Sequence, residues 1–260
     1  MTTDNPLYGY ESHVPSFIRS FNRIICIGDS LTEGSCNYDG GGTIAFKDYS
    51  YPTILSKMTG VDVLNYGISG DCASTSQHVC DLQRCYLERA KKRGFFLDFK
   101  ADAFLVALGT NDISKEGSFT GDVSTDIDMA DSSKNARNSV GGYASLLSLI
   151  RHHNPKSFIF CVTLPNTRND HDSRLEANEK IRAIAKLFGA YVIDMERYAE
   201  QEGPELEAFR KVFMNVSHNN ALGYNVRARQ YCTYIDHIIQ THLEAFRNLQ
   251  FTGCEYTCTL

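Results

Sequence analysis

The sequence predicts an α/β fold: a central parallel five-stranded sheet of flavodoxin-like order, covered by helices on both faces in a three-layer α/β/α sandwich. Five short apolar runs have the length and composition typical of strands that are buried on both faces. The segments between them carry apolar residues at helical spacing. Because strands and helices alternate along the chain, parallel pairing with a helix in each crossover is favoured.

The first strand is predicted at Ile24–Ile27, directly before Gly28-Asp29-Ser30-Leu31. A serine at the carboxyl end of the first buried strand lies where open α/β sheets bind ligands. Gly, Asp and Ser are also ordinary turn residues, so this segment by itself fits a polar turn equally well. The other four strands are predicted at 61–66, 103–108, 157–163 and 190–194.

Helices are predicted between these strands and after the last one. Gly60 and Gly189 follow two of them as helix stops, and the cations before Gly94 suit the last turn of another. The predicted ranges are 51–58, 74–92, 134–153, 175–188, and a helix with breaks from after His218 to Leu249.

Residues 114–133 interrupt this alternation. They are rich in Ser, Thr, Gly and Asp and contain few large apolar residues. We expect a long insertion over the site, in the role of a lid or a specificity loop. A calcium loop is the alternative, but the spacing of the aspartates does not match the EF-hand pattern.

Length and composition predict a single domain over residues 1–260, with a core from about 22 to 249 and a tail over 250–260. The chain is 42% hydrophobic and has a formal net charge of −5, which disfavours nucleic acid and anionic membranes as partners. No apolar run reaches the length of a membrane span, and the first residues do not resemble a signal peptide. We therefore expect a cytoplasmic protein; the oligomeric state is left open.

The chain contains nine cysteines, which we expect to be thiols in the absence of a secretory signal. Their spacing is not that of a zinc site, so no metal site is expected from them. Cys26 and Cys161 lie within predicted strands and are interpreted as small core residues. A disulfide between Cys36 and Cys72, which follow two polar strand ends, is the less favoured alternative.

Four segments resemble the motifs of the GDSL, or SGNH, hydrolase family, and they occur in the family's order. Gly28-Asp29-Ser30-Leu31 resembles the first motif, and the resemblance extends from Arg23 to about Tyr224. It implies the same three-layer sandwich. The later motifs are Gly70 within 65–71, Asn111 within Gly109-Thr110-Asn111-Asp112, and His218 within 215–224.

The resemblance implies a role for each of these residues. Ser30 would be the nucleophile and His218 the general base. The backbone N–H groups of Ser30 and Gly70 and the side-chain amide of Asn111 would stabilise the oxyanion. No cofactor is implied.

The chain departs from the family pattern three residues before the histidine, where Asn215 replaces the usual Asp. An Asn carbonyl can accept the imidazole N–H, but it carries no charge to stabilise an imidazolium ion. A backbone carbonyl or Asp194 could orient His218 instead. Asn219 replaces the usual proline at a position that shapes a turn.

These features predict a serine esterase that cleaves carboxylic esters, with a small-molecule, short-acyl ester as substrate. One alternative is a binding protein that keeps the fold but has lost turnover, which Asn215 would permit. Another is an acyltransferase or thioesterase that uses the same site. The sequence does not identify the acyl or the alcohol part of the substrate.

Overall fold

A computed structural model describes residues 16–38, 42–165, 171–198, 207, 210–215 and 217–247, without the side chains of residues 171 and 215. Its centre is a parallel five-stranded sheet, in which the first strand lies between the second and the third, followed by the fourth and fifth. This order confirms the predicted flavodoxin-like fold. In chain order these strands are β1 (Arg23–Gly28), β4 (Asp62–Gly67), β5 (Ala103–Ala107), β6 (Phe158–Val162) and β7 (Tyr191–Ile193).

Two antiparallel pairs of short strands lie outside the main sheet. The first pair joins β2 (Ser35–Asn37) to β3 (Thr43–Ala45), and the second joins β8 (Met214–Asn215) to β9 (His218–Asn219). Both pairs contribute to the site described below.

The described helices lie on both faces of the sheet, and none of them is long and apolar enough to cross a membrane. They are α1 (Ser30–Glu33), α2 (Tyr51–Thr59), α3 (Gln77–Asp81), α4 (Tyr86–Lys92), α5 (Thr110–Glu116), α6 (Ser139–His153), α7 (His171–Leu187), α8 (Met195–Tyr198), α9 (Ala221–Thr241) and α10 (Leu243–Phe246). The predicted tail, 250–260, lies outside the described residues.

Alternate residues of the strands pack into two separate cores, because successive strand side chains point to opposite faces. Ile25 and Ile27 pack with the buried side of α6 and α7, whereas Ile24 and Cys26 pack with α2 and α9. Both Cys26 and Cys161 are fully buried, as predicted for small core residues.

The prediction of one continuous helix over 74–92 is wrong, because the chain forms α3 and α4 with a break between them. At the break Gln83 has a φ of +54°. The Cys72 N–H donates to the Arg84 carbonyl at 2.8 Å, and the Tyr86 N–H donates to the Cys72 carbonyl at 3.1 Å. These bonds hold the segment against the loop after β4, and the helix cannot continue through it.

The stretch 114–138 is partly helical and partly loop. Its first residues complete α5, and the helix predicted to begin at residue 134 begins at Ser139, where the Asn138 side chain accepts from the Gly141 N–H at 2.8 Å. The loop between them is held at the start of α6 by the Val140 N–H, which donates to the Thr120 carbonyl at 3.0 Å. The role of a lid over the site stays a prediction.

Candidate active site

Ser30 is the first residue of α1, at the carboxyl end of the central strand β1. The Asp29 side chain caps this helix by accepting from the Leu31 N–H at 2.9 Å. Gly28 is required for the sharp turn, because a Cβ at this position would lie 2.0 Å from the Thr32 hydroxyl oxygen. The motif residues therefore build a tight strand-to-helix turn that presents the serine at the edge of the sheet.

His218 lies on β9, just before the Asn220 side chain caps α9. Its Nε2 is 2.9 Å from the Ser30 Oγ. The predicted nucleophile and base are thus brought within hydrogen-bonding distance, although 188 positions separate them in the chain.

The other ring nitrogen of His218 contacts a residue that the sequence did not single out. The Nδ1 is 2.9 Å from the Asn37 Oδ1 and 3.1 Å from the Ser217 Oγ. The Ser217 backbone N–H faces the same Asn37 atom at 3.3 Å. Because a backbone N–H can only donate, this atom is the amide oxygen, and His218 donates to it through a protonated Nδ1. The Nε2 is then free of a proton and accepts from the Ser30 hydroxyl.

Asn37 reaches His218 because β2 is tied to the segment that surrounds the histidine. The Tyr224 hydroxyl donates to the Ser35 carbonyl at 2.6 Å, and the Cys36 thiol donates to the Asn219 carbonyl at 3.3 Å. The Asn37 amide nitrogen donates to the Thr43 hydroxyl across the β2–β3 pair at 3.2 Å. The sequence signal for this hairpin is the glycine-rich stretch of sequence between the two strands, which carries no information about the distance of the hairpin from His218.

The other two residues considered as partners for His218 are placed differently. The backbone of Asn215 pairs with His218 between β8 and β9, but its side chain lies outside the described part, so its role stays a prediction. The Asp194 carboxylate accepts from the Arg182 Nε at 2.9 Å and Nη2 at 2.7 Å. Burial alone would raise the pKa of Asp194, but the Arg182 guanidinium holds it below its usual value. Asp194 is therefore the ion-pair partner of Arg182.

The predicted oxyanion donors lie in the segments that follow β1, β4 and β5: Ser30 and Asn111 in the first turns of α1 and α5, and Gly70 in the loop after β4. The Asn111 amide nitrogen joins these segments, since it donates to the Asp71 carbonyl at 3.0 Å and to the Asp29 carboxylate at 3.3 Å. Within the described part of the chain, the N–H groups of Ser30 and Gly70 have no acceptor. Both are therefore available to an oxygen of a ligand.

The loop that carries Gly70 is held from two sides. The Ser69 N–H donates to the Glu33 carboxylate at 2.8 Å, and the Arg84 guanidinium donates to the Ser69 carbonyl at 3.0 Å. Gly70 itself has a φ of +79°, and a Cβ there would lie 2.5 Å from the Arg84 Nη1. A glycine is needed both for this backbone conformation and for the close approach of the arginine.

Two buried carboxyl groups lie directly behind these loops. Asp71 pairs with Arg89, and its Oδ2 has no partner among the described residues. Burial raises the pKa of Asp71 to about 7, although Arg89 acts in the opposite direction. Asp112 accepts from the N–H groups of Ala73 and Ser74 at 3.0 and 2.9 Å, and burial raises its pKa to about 6.

The cysteines of the described part are thiols, including Cys36 and Cys72, so no disulfide joins that pair. One group of possible metal ligands occurs among the described residues: donor atoms of Cys80, Cys85 and Glu88 lie within 4.8 Å of one another. Burial raises the pKa of the Cys85 thiol to about 12.

Two small spaces with shared walls lie next to the sequence neighbours of the serine, with volumes of about 30 and 10 Å³. A larger cavity of about 700 Å³ lies along α8 and α9, and none of the residues described above lines it. The small spaces are the ones relevant to the chemistry, because they touch the neighbours of Ser30 and His218. Both are lined by Leu31, Thr110, Pro165, Asn219 and Arg227.

Comparison with known proteins gives a family and a shared fold. The profile of the GDSL-like Lipase/Acylhydrolase family matches residues 26–226. No curated protein gives a significant sequence match. A carbohydrate acetylesterase family member from Sinorhizobium meliloti is 19% identical, with a TM-score of 0.56 over 84% of this chain and 99% of that one.

Two further solved structures have a similar fold. A family two carbohydrate esterase from Clostridium thermocellum, in complex with cellohexaose, is 16% identical, with a TM-score of 0.58 over 86% of this chain and 65% of that one. The native aryl esterase of M. smegmatis is 14% identical, with a TM-score of 0.57 over 85% of this chain and 99% of that one.

The profile match spans well over half of the chain, and the matched range includes the turn at Ser30, the loops of Gly70 and Asn111, and His218. It confirms the resemblance drawn from the four motifs. The chain therefore belongs to the GDSL-like lipase/acylhydrolase family, and it is an ester-hydrolysing enzyme.

Proposed function

We propose that the protein is a serine esterase that cleaves short-acyl carboxylic esters through an acyl-enzyme on Ser30. The observation that carries the proposal is the 2.9 Å contact between the His218 Nε2 and the Ser30 Oγ. An imidazole placed there can take the hydroxyl proton as the oxygen attacks, provided that its other nitrogen is protonated. The bond from Nδ1 to the Asn37 carbonyl meets this condition.

In the first half of the reaction, the Ser30 Oγ bonds to the ester carbonyl carbon while its proton moves to His218. The carbonyl oxygen becomes an oxyanion, which accepts from the N–H groups of Ser30 and Gly70. The Asn111 side-chain amide provides a third donor. The N–H that bonds to the Asp29 carboxylate at 3.3 Å turns from this carboxylate to the oxyanion. Removing one such donor typically costs about 3 kcal/mol of transition-state stabilisation.

The tetrahedral intermediate collapses when His218 returns its proton to the alcohol oxygen, which leaves as the carbon–oxygen bond breaks. Water then attacks the acyl-enzyme while His218 accepts its proton. His218 returns this proton to the Ser30 Oγ as the bond from Oγ to the acyl carbon breaks, and the carboxylic acid leaves. During both halves, the imidazolium is stabilised by the dipole of the Asn37 carbonyl. A neutral amide stabilises it less than a carboxylate would.

The small volume beside the serine supports a short acyl group. A space of about 30 Å³ has room for a group of a few atoms, such as the methyl group of an acetate, whereas a long chain would need a channel. Esters of acetate are therefore the first substrates to test.

The test is the hydrolysis of p-nitrophenyl acetate by the parent, Ser30→Ala and His218→Ala. We expect each variant to lose at least about 10³-fold in kcat/KM, because the two side chains act as one unit. The matched controls are Ser133→Ala and His237→Ala, which change exposed residues of the same types and should retain the parent rate.

A serine-directed phosphonate provides an independent measurement, since it should add its mass to the Ser30 peptide of the parent. Full activity of Ser30→Ala would contradict the proposal. A parent that is no faster than Ser30→Ala, and is not labelled at Ser30, would favour the binding-protein alternative.

A further inference from the structure

Arg227 is a buried arginine beside the proposed catalytic pair. It lies on α9 and is only 7% exposed. It lines both of the small spaces next to Ser30. A charged side chain at such a position requires an explanation, because burying an unpaired guanidinium is unfavourable.

The hydrogen bonds of Arg227 use little of its capacity. A guanidinium has five N–H donors, and Arg227 makes one bond, from Nη1 to the Gln230 side-chain oxygen at 3.2 Å. Within the described part of the chain, no carboxylate oxygen lies within 4.0 Å of its nitrogens. Asp29, which lines the larger of the two spaces, accepts instead from Leu31 and Asn111.

The remaining N–H groups of Arg227 reach solvent-accessible space, since none of its atoms is both buried and without a partner. Since Arg227 lines both small spaces, these N–H groups can face them. Arg174, which is 2% exposed, lines the smaller space as well and adds a second positive charge there. Its Nη1 also donates to the Pro165 carbonyl at 3.4 Å.

These spaces lie next to the residues that flank the reacting groups. Their walls include Leu31, Thr110 and Ser217, which are the sequence neighbours of Ser30, Asn111 and His218. A group held against Arg227 would therefore belong to the molecule whose ester carbonyl lies at Ser30. The volumes of about 30 and 10 Å³ limit that group to a few atoms.

We propose that Arg227 binds a carboxylate of the substrate, so that the enzyme prefers esters with a carboxylate a few atoms from the ester carbonyl. The inference rests on the proposed esterase function and narrows its substrate class. A carboxylate is small and planar, and a guanidinium matches its two oxygens with parallel N–H groups. Arg227 is thus a specificity residue and takes no part in the proton transfers.

Two pairs of isosteric esters test this proposal on the parent enzyme. Monoethyl succinate and ethyl succinamate differ by a carboxylate or an amide on the acyl part. 2-Acetoxyacetate and 2-acetoxyacetamide differ in the same way on the alcohol part. In at least one of the two pairs, we expect the carboxylate ester to have a kcat/KM about ten- to hundredfold higher than that of its amide, because a hydrogen bond to a charged group contributes that much. The rates are measured by pH-stat.

Arg227→Gln should reduce the kcat/KM of the charged ester to that of its amide. Arg229→Gln, which changes an exposed arginine of the same helix, should keep the preference. Equal rates for carboxylate and amide in both pairs would overturn the proposal, even if Arg227→Gln did not fold. If p-nitrophenyl acetate hydrolysis still depends on Ser30 in that case, the esterase function stands and only the role of Arg227 fails.

Discussion

The His218 imidazole is held by an amide oxygen, that of Asn37, and not by a carboxylate at that position. An amide oxygen selects the tautomer with a proton on Nδ1 as well as a carboxylate does. It lacks the negative charge that would stabilise the imidazolium formed in the transition state. Asn37 therefore orients the His218 imidazole without adding a charge that stabilises the imidazolium, and substitutions of Asn37 can change these two effects separately.

Asn37→Asp should raise kcat/KM for p-nitrophenyl acetate by roughly tenfold, because a carboxylate would add charge to a contact whose geometry already exists. The lower inflection of the pH–rate profile should also move to higher pH, since the protonated imidazole would be stabilised. Steady-state kinetics between pH 4 and pH 9 measure both effects.

Asn215→Asp is the matched control, because it makes the same change where the family usually has its acidic residue. We expect it to alter the profile less than Asn37→Asp does. If Asn215→Asp moves the inflection and Asn37→Asp does not, then Asn37 is not the orienting group. Loss of activity in Asn37→Leu, without loss of thermal stability, would further support its positioning role.

At the scale of the elements, the loops after three adjacent strands act as one unit. Asn111 joins the loops of β1 and β4, and Glu33 holds the Ser69 N–H one residue before Gly70. Because parallel strands end at the same edge of the sheet, residues distant in the chain can supply donors to one oxygen. Within this arrangement the Gly70 loop requires a glycine, because of its positive φ and the close approach of Arg84.

Gly70→Ala should lower kcat by about ten- to hundredfold. The new Cβ would lie only 2.5 Å from the Arg84 Nη1, so the loop and the arginine must move apart, which shifts the proposed oxyanion donor. Gly60→Ala is a close control: Gly60 has a φ of +76°, and a Cβ there meets nothing within 4 Å.

Both glycine variants should lose about 1 kcal/mol of stability through the positive φ, which thermal unfolding measures. Only Gly70→Ala should lose activity as well. If the two variants retain the same kcat, the Gly70 N–H does not act in catalysis.

At the scale of the whole molecule, the buried acids behind the site make stability depend on pH. Asp71 and Asp112 have pKa values raised by burial to about 7 and about 6 in the folded protein. In the unfolded chain an Asp carboxyl titrates near pH 4, at roughly 3.9. Between these values the folded state binds more protons than the unfolded state, so the free energy of unfolding falls as the pH rises.

The contribution of Asp71 to the melting temperature should therefore decline from pH 5 to pH 8. Asp71→Asn removes this titrating group, so the melting temperature of the variant should decline less over this range. The slope is the measure and not the absolute stability, which also changes because the variant lacks the negative charge opposite Arg89. Asp81→Asn, an exposed control, should keep the slope of the parent. Equal slopes for Asp71→Asn and the parent would contradict the raised pKa of Asp71. Scanning calorimetry at several pH values gives these slopes.

The sequence by itself determined the sheet and most of its helices, because buried strands and helix ends are encoded in short patterns. Runs such as Ile24–Ile27 and stops such as Gly60 depend on neighbouring residues only, and both were located correctly. The motif residues could be named because the short segments around them resemble the motifs of the family. Their roles, and those of the insertion and Asn215, remain predictions.

Only the tertiary structure decided which side chains meet. Asn37 and His218 are 181 positions apart, and their contact depends on the packing of α9 against β2. The break between α3 and α4 has a similar origin, since a bond from Cys72 overrides a helical pattern that is continuous in the sequence. The burial of Arg227 beside Ser30 likewise follows from the folding of α9 onto the edge of the sheet. Contacts of this kind are properties of the packed chain, and no local pattern of residues encodes them.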